Sequence, residues 1–236
     1  MSSLFLQRSN EIEIMDDLNC EGEVVNQTLR ELEIINRTLG GNQITVEGLK
    51  NLIQGSEKTL EIIDLGCGGG DMLMLLANEF SKKNIEANFI GIDANPNIIE
   101  YAKKNAAHFN NIKFETINIL SKEFESKTFD IAIATLFFHH FTSGQLSNIL
   151  KRLYQQSRIG IVINDLHRHP LAYYSIKMLT KIFSKSSMVK FDAPLSVLRG
   201  FSKKEIETIM ADAGIKNYTL QWRWAFRWKV IIYKTP

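Results

Sequence analysis

A run of glycines set directly behind a short apolar strand constrains this chain more than any other feature. Leu60-Glu61-Ile62-Ile63-Asp64-Leu65 reads as a buried strand, and Gly66-Cys67-Gly68-Gly69-Gly70 follows it without a spacer. Asp71 can cap the next segment, whose apolar positions Met72, Leu73, Leu75, Leu76 and Phe80 have helical spacing. A strand, a bare-backbone turn and a helix in succession present unpaired amides at a helix N-terminus, which favours a ligand with polar or anionic groups.

The same rhythm repeats downstream. Phe89-Ile90-Gly91-Ile92 is a strand ending at Asp93, and Asn95-Pro96 starts a helix with a capping side chain and a proline at the first position. Ile112–Ile117 and Phe129–Ala134 are further strands, and a helix through Leu146, Ile149, Leu150 and Leu153 leads to a fifth strand, Ile159–Ile163. Such alternation predicts a parallel sheet with helices on both faces, and 236 residues suit one larger α/β domain. Before it, Glu23–Leu39 has a helical apolar stripe that Gly40-Gly41 ends, and a second helix is expected to stop near Gly55. After it, 165–200 breaks the rhythm with one amphipathic segment around Tyr174, Met178 and Ile182. A capping box at Ser202–Glu205 opens another helix. The tail alternates Tyr218, Leu220, Trp222, Trp224, Phe226, Trp228, Val230 and Ile232 against polar neighbours, which predicts a strand pair with one buried face.

Two familiar glycine devices are excluded. The dinucleotide fingerprint needs glycine or alanine where Asp71 stands, and no Gly-Lys-Ser/Thr follows for a P-loop. Asp64, two residues before the first glycine, would repel a pyrophosphate but suits a ligand carrying an ammonium group. Asp93, at the end of the second strand, stands where a doubly wound sheet faces the ribose of a bound nucleoside. Together, Asp64–Gly70, Gly91-Ile92-Asp93-Ala94-Asn95-Pro96, and Phe129–Ala134 followed by Leu136-Phe137-Phe138-His139-His140-Phe141 resemble the motifs of the class I S-adenosylmethionine-dependent methyltransferases. The resemblance is close over roughly 55–165, and the helix and strand pair after 200 fit that family's usual ending.

The resemblance implies a doubly wound, Rossmann-like α/β fold: a seven-stranded, mostly parallel sheet with an antiparallel terminal strand. Residues 1–55 would form an N-terminal helical cap, and 56–236 a catalytic domain whose 165–200 insertion shapes the acceptor pocket. It implies S-adenosyl-L-methionine as cofactor and S-adenosyl-L-homocysteine as product. Asp64, Gly66, Cys67, Gly68 and Gly70 would line the methionine end, Asp93 and Ala94 the ribose, and Asn118-Ile119 the adenine. Thr135 and Leu136 would border the sulfonium, and Arg37 is a candidate for the cofactor carboxylate.

Methyl transfer from a sulfonium is an in-line displacement, so positioning carries most of the work and a base is needed only for a hydroxyl acceptor. Four of the five histidines follow the fourth and fifth strands, making His140, His167 and His139 the candidate bases, with His169 beside them. No metal is expected, because only Asp165, His167 and His169 could be forced into a ligand set. Tyr173, Tyr174, Met178, Phe183 and Met188 suit a small aromatic or polyketide-like acceptor, methylated on oxygen or carbon. Arg168, Arg199 and Arg223 are candidates for an anionic group on it.

Residues 150–236 hold 16 Lys+Arg against 5 Asp+Glu, which keeps an RNA- or ribosome-directed enzyme as the alternative. A non-enzymatic cofactor-binding regulator is a further one. Thr135-Leu136-Phe137-Phe138 stands where base-amino methylating enzymes carry an Asp/Asn-Pro-Pro-aromatic turn, and no RNA-binding module is visible, so a nucleic-acid partner is not expected. With two cysteines, no bilayer-length apolar run and no signal-peptide order in Met1–Asp17, a cytoplasmic protein is expected; oligomeric state is open.

Overall fold

The glycine-punctuated strands assemble as their apolar runs require, buried on both faces between helices. The computed structural model describes residues 3–53 and 58–234. The expected helix end near Gly55 and the 55/56 boundary lie outside them. Helices α1 (Glu23–Thr38) and α2 (Gly41–Leu52) precede β1 (Leu60–Leu65), α3 (Asp71–Ser81), β2 (Ala87–Asp93) and α4 (Pro96–Asn105). Then come β3 (Ile112–Thr116), α5 (Lys122–Glu125), β4 (Phe129–Thr135), α6 (Ser143–Gln156) and β5 (Ser157–Leu166). The chain continues through α7 (Pro170–Phe183), α8 (Ser187–Arg199), α9 (Lys203–Asp212), β6 (Tyr218–Arg223) and β7 (Arg227–Tyr233). The strands form one seven-stranded sheet in the order β3-β2-β1-β4-β5-β7-β6, in which β7 alone runs opposite to the other six.

One core layer joins Ile149, Leu150 and Leu153 of α6 and Ile206, Ile209 and Met210 of α9 to the strands. The other joins Leu73, Leu76 and Phe80 of α3 and Val46 and Leu49 of α2 to Ile62, Ile133 and Val162. Gly48 lets α2 lie close: a Cβ there would stand 2.5 Å from Val162.

That helix corrects the expectation for the tail. Strand β7 is buried on both faces, because α2 covers the side bearing Arg227, Lys229 and Ile231. Polar–apolar alternation showed which residues share a face but not that a helix from the other end of the chain covers the polar one. The insertion also differs: it holds two helices, α7 and α8, rather than one amphipathic segment. Tyr174, Met178 and Ile182 are 59%, 60% and 63% exposed, so that stripe of α7 faces outward.

The charge asymmetry is matched inside the molecule. Arg199 pairs with Asp16, Arg223 and Lys229 with Glu47, Arg152 with Glu125 and Arg158 with Asp130, each joining the basic C-terminal third to the acidic part before it. None of the described helices is long and apolar enough to cross a membrane.

Candidate active site

The glycine turn opens a cavity of about 620 Å³ along the C-terminal ends of β1, β2, β4 and β5. Its backbone is the reason for its composition. Gly66, Gly68 and Gly70 have φ of 67°, 50° and 79°, the left-handed region that side chains disfavour. A Cβ on Gly66 would fall 2.1 Å from the Phe137 ring, whereas one on Gly68 would meet only Leu29, at 3.7 Å, and project into the cavity. The Cys67 amide donates to the Ile92 carbonyl at 3.0 Å, tying the turn to β2.

Three carboxyls sit beneath this turn. Burial pushes Asp64 well above the usual carboxylate range, and Asp71 and Asp93 add to the shift. Burial raises Asp71 to about 6, with Glu33 adding to it, and raises Asp93 too, against the hydrogen bonds from its neighbouring amides. The Asn95 amide donates to Asp93 at 3.0 Å. Carboxyls held up by burial and by one another gain by ionising beside a cation. The cradle therefore fits a ligand carrying an ammonium and a sulfonium, and Asp93 offers acceptors to ribose hydroxyls.

The other expected contacts fall along the same cavity. Ala94, Asn118 and Ile119 line one end, although the Asn118 carboxamide already accepts from the Leu120 amide at 2.9 Å. Thr135 and Leu136 line the middle, with the Thr135 hydroxyl 2.9 Å from that of Thr45 on α2. Arg37 does not belong. It is exposed on α1, whose spacing turns Leu32, Ile35, Asn36 and Leu39 toward the cavity and residue 37 away.

The histidines divide. His139 and His140 line the cavity on a short 3-10 turn after β4. His139 Nδ1 lies 2.8 Å from Asp165 Oδ1, and Asp165 also accepts from the Phe138 and His139 amides. Burial alone would push Asp165 up, but His139, the Leu166 amide and His140 hold it below its usual range. His140 Nδ1 lies 2.6 Å from Asp16 Oδ1, and Arg199 donates to the other Asp16 oxygen at 2.6 Å. These two partners outweigh burial and depress the Asp16 carboxyl. His167 is absent from the cavity wall: it packs against His169 and Trp228, accepts from Trp222 Nε1 at 3.2 Å, and is lowered to about 4 by burial and its cationic neighbours. The fifth strand runs on to Leu166, so the residue after it turns onto the β6–β7 side.

Sequence patterning missed the N-terminal segment. Asp192 on α8 accepts from the Ile14 and Met15 amides, Arg8 donates to the carbonyls of His139, Phe141 and Arg199, and so residues 8–16 lie across the histidine turn. This lays Glu13, 4% exposed, against the cavity, with Oε2 accepting from Ser196 at 2.9 Å and Oε1 3.6 Å from His139 Nε2. Burial pushes the Glu13 carboxyl up to about 7, against the pull of His140 and Arg199. Glu13, His139 and His140 also form a group close enough to share a metal ion, but the Arg199 guanidinium stands 3.7 Å from Glu13, which opposes a second cation. The segment lacks periodicity, so only its acidic content marked it.

The acceptor side also differs from expectation. Ala172, Ser175, Ile176 and Leu179 of α7 and Val189, Ala193 and Val197 of α8 line it. Tyr173, Tyr174, Met178, Phe183 and Met188 do not, because they sit on the other faces of these helices.

A methyltransferase-domain family model matches residues 56–214. The carboxy-S-adenosyl-L-methionine synthase of Helicobacter pylori strain P12 is 25% identical over 175 residues, 69% of this chain and 70% of that protein. Human N-acetylserotonin methyltransferase, solved with S-adenosylmethionine, superposes with a TM-score of 0.65 at 17% identity, covering 92% of this chain and 57% of that one. The plantazolicin methyltransferase BpumL, solved with S-adenosylhomocysteine, gives 0.63 at 17% identity, over 91% and 100%. The solved structures speak to the fold; the family match, over a glycine turn and carboxylates suited to a sulfonium nucleoside, makes the chain a member of the class I S-adenosylmethionine-dependent methyltransferases.

Proposed function

We propose that this enzyme methylates an oxygen or carbon of a small, largely apolar or aromatic metabolite, in the cytoplasm, where Cys20 and Cys67 stay free thiols. One observation carries the reading. The cofactor cradle and an apolar wall from α1, α7, α8 and the β6–β7 turn share a single cavity of about 620 Å³, within the range of small-molecule sites. Two proteins of similar fold are, by their names, methyltransferases of N-acetylserotonin and of plantazolicin. The internal pairing of the basic C-terminal third favours this reading over a nucleic-acid partner.

S-adenosylmethionine bound in the cradle supplies an electrophilic methyl group on its sulfonium. Gly66, Gly68 and Gly70 give the amino-acid end its backbone seat, Asp64 balances its ammonium, Asp93 grips the ribose, and Asn118-Ile119 border the adenine. Thr135 and Leu136 would border the sulfonium, and the apolar residues of α1, α7 and α8 would keep water from an acceptor held beside it. We assign the proton of an acceptor hydroxyl to Glu13, whose raised carboxyl matches neutral pH. Asp165 holds His139 beside it, and Asp16 holds His140 at the same wall. Residues 13–39 together with 165–200 then face the acceptor, while α2 packs into the core of the catalytic domain.

The test is mass spectrometry of the purified enzyme with isotope-labelled S-adenosylmethionine and a panel of phenols and 1,3-dicarbonyl compounds. A labelled methyl on any panel member supports the reading. Label found only in RNA, or a cofactor that gains a carboxyl group as the name of the Helicobacter relatives describes, overturns it.

A further inference from the structure

Among the described residues, Arg227 is the cation in this wall without an acidic partner. It lies at the start of β7, 3% exposed, and lines the cavity. Its Nη2 donates to Asn36 Oδ1 on α1 at 2.8 Å, while Nε and Nη1 have no hydrogen-bond partner among the described residues. The other candidate arginines are committed elsewhere. Arg168 is held by Glu205 and the carbonyls of Phe5 and Gly200, Arg199 by Asp16 and three carbonyls, and Arg223 by Glu47. A buried guanidinium with idle donors carries a desolvation penalty that a bound carboxylate relieves, since the two planar groups match in geometry. The fold also makes room for it: a Cβ on Gly41 would lie 2.7 Å from the Arg227 Cζ.

Position separates this group from the cofactor's own carboxylate. In the sheet order β1-β4-β5-β7, Arg227 stands three strands from the glycine turn, about 14 Å at the usual strand spacing. Along α1, its partner Asn36 lies seven residues beyond Leu29, which faces Gly68, or about 10 Å of helix. Around Arg227 are Trp224, Ala225 and Phe226 of the β6–β7 turn and Leu39 of α1, an apolar setting at the acceptor's end.

We propose that Arg227 seats a carboxylate of the methyl acceptor, so that the substrate is an apolar or aromatic carboxylic acid. The inference rests on the functional reading above and deepens it. Burial holds Arg227 down to about 10, with Asp165 opposing that shift, so the guanidinium keeps its charge at neutral pH.

Isothermal titration of the full chain tests it in two stages. The first measures S-adenosylhomocysteine affinity. The second titrates the loaded protein with benzoate, 4-hydroxybenzoate and hexanoate, each against its primary amide. The wild type is expected to bind at least one carboxylate roughly tenfold or more tightly than its amide. Arg227→Met should abolish that preference while changing S-adenosylhomocysteine affinity less than about threefold. Gly41→Ala, which displaces the guanidinium without removing it, should weaken the preference as well and serves where Arg227→Met does not fold. A wild type with no preference for any carboxylate overturns the inference, as does a preference that survives the variants. An S-adenosylhomocysteine affinity that falls tenfold with Arg227→Met assigns the guanidinium to the cofactor and overturns it too. A wild type that binds no S-adenosylhomocysteine breaks the methyltransferase reading itself, so the two failures are distinct.

Discussion

The two ends of the cavity are built from different material. The cofactor end is set by local backbone: positive-φ glycines, Asp64 and Asp93 at the ends of β1 and β2, and Asp71 at the start of α3, all between Asp64 and Asn95. The acceptor end is side chain, brought together from residues 13–16, 28–39, 172–197 and 224–227. A backbone-built seat tolerates little substitution and serves one ligand. A side-chain-built seat changes with each contributing segment, so the same fold accepts different substrates.

The largest effects should come from the backbone-built end. Gly66→Val combines a disfavoured φ with a Cβ 2.1 Å from the edge of the Phe137 ring and should abolish S-adenosylmethionine binding in calorimetry. Asp93→Ala removes two charge-assisted acceptors and should weaken it by about 100-fold. If either variant binds normally, the distinction between the two ends fails.

At the acceptor end, Glu13→Gln should lower kcat by about 100-fold on a hydroxyl acceptor while leaving cofactor affinity within a few-fold. The rate of the wild type should climb as pH rises through about 7, because Glu13 accepts a proton only when ionised. A pH profile unchanged by Glu13→Gln would move the base elsewhere.

A smaller effect concerns the acidic cradle. Asp71 titrates at about 6 in the free protein, and its ionised form is the one a cationic ligand prefers. Affinity for S-adenosylmethionine should therefore rise several-fold between pH 5 and pH 7, with proton release on binding near pH 6, and Asp71→Asn should flatten that rise. The smallest effects belong to Arg37→Ala and His167→Ala, which stand off the cavity and should change turnover less than about twofold.

How much of this was legible follows from the same division. The strands, the glycine turn and Asp93 are local in sequence, and periodicity with a φ argument finds them. Seven strands and the antiparallel β7 followed from the family resemblance. Glu13 and Asp16 were invisible because nothing within a few residues of them indicates that Asp192 and Arg199, over 170 residues later, hold that segment in place. Arg227 looked like one polar residue of an alternating strand; only the packing of α2 across that face shows it buried. For α7 the error was of face. Its apolar residues extend around much of the helix, and composition does not say whether the Tyr174 or the Ile176 side meets the cavity.

Helix α2 lies against Val162 of β5 and, through Glu47, against Lys229 of β7. During synthesis, then, α2 leaves the ribosome well before β5 and β7, and its resting place is complete only once both have followed. Until β5 is made, Val46 and Leu49 lack Val162, and until β7 follows, Glu47 lacks Lys229, so α2 keeps an uncovered apolar face while most of the sheet is still being synthesised.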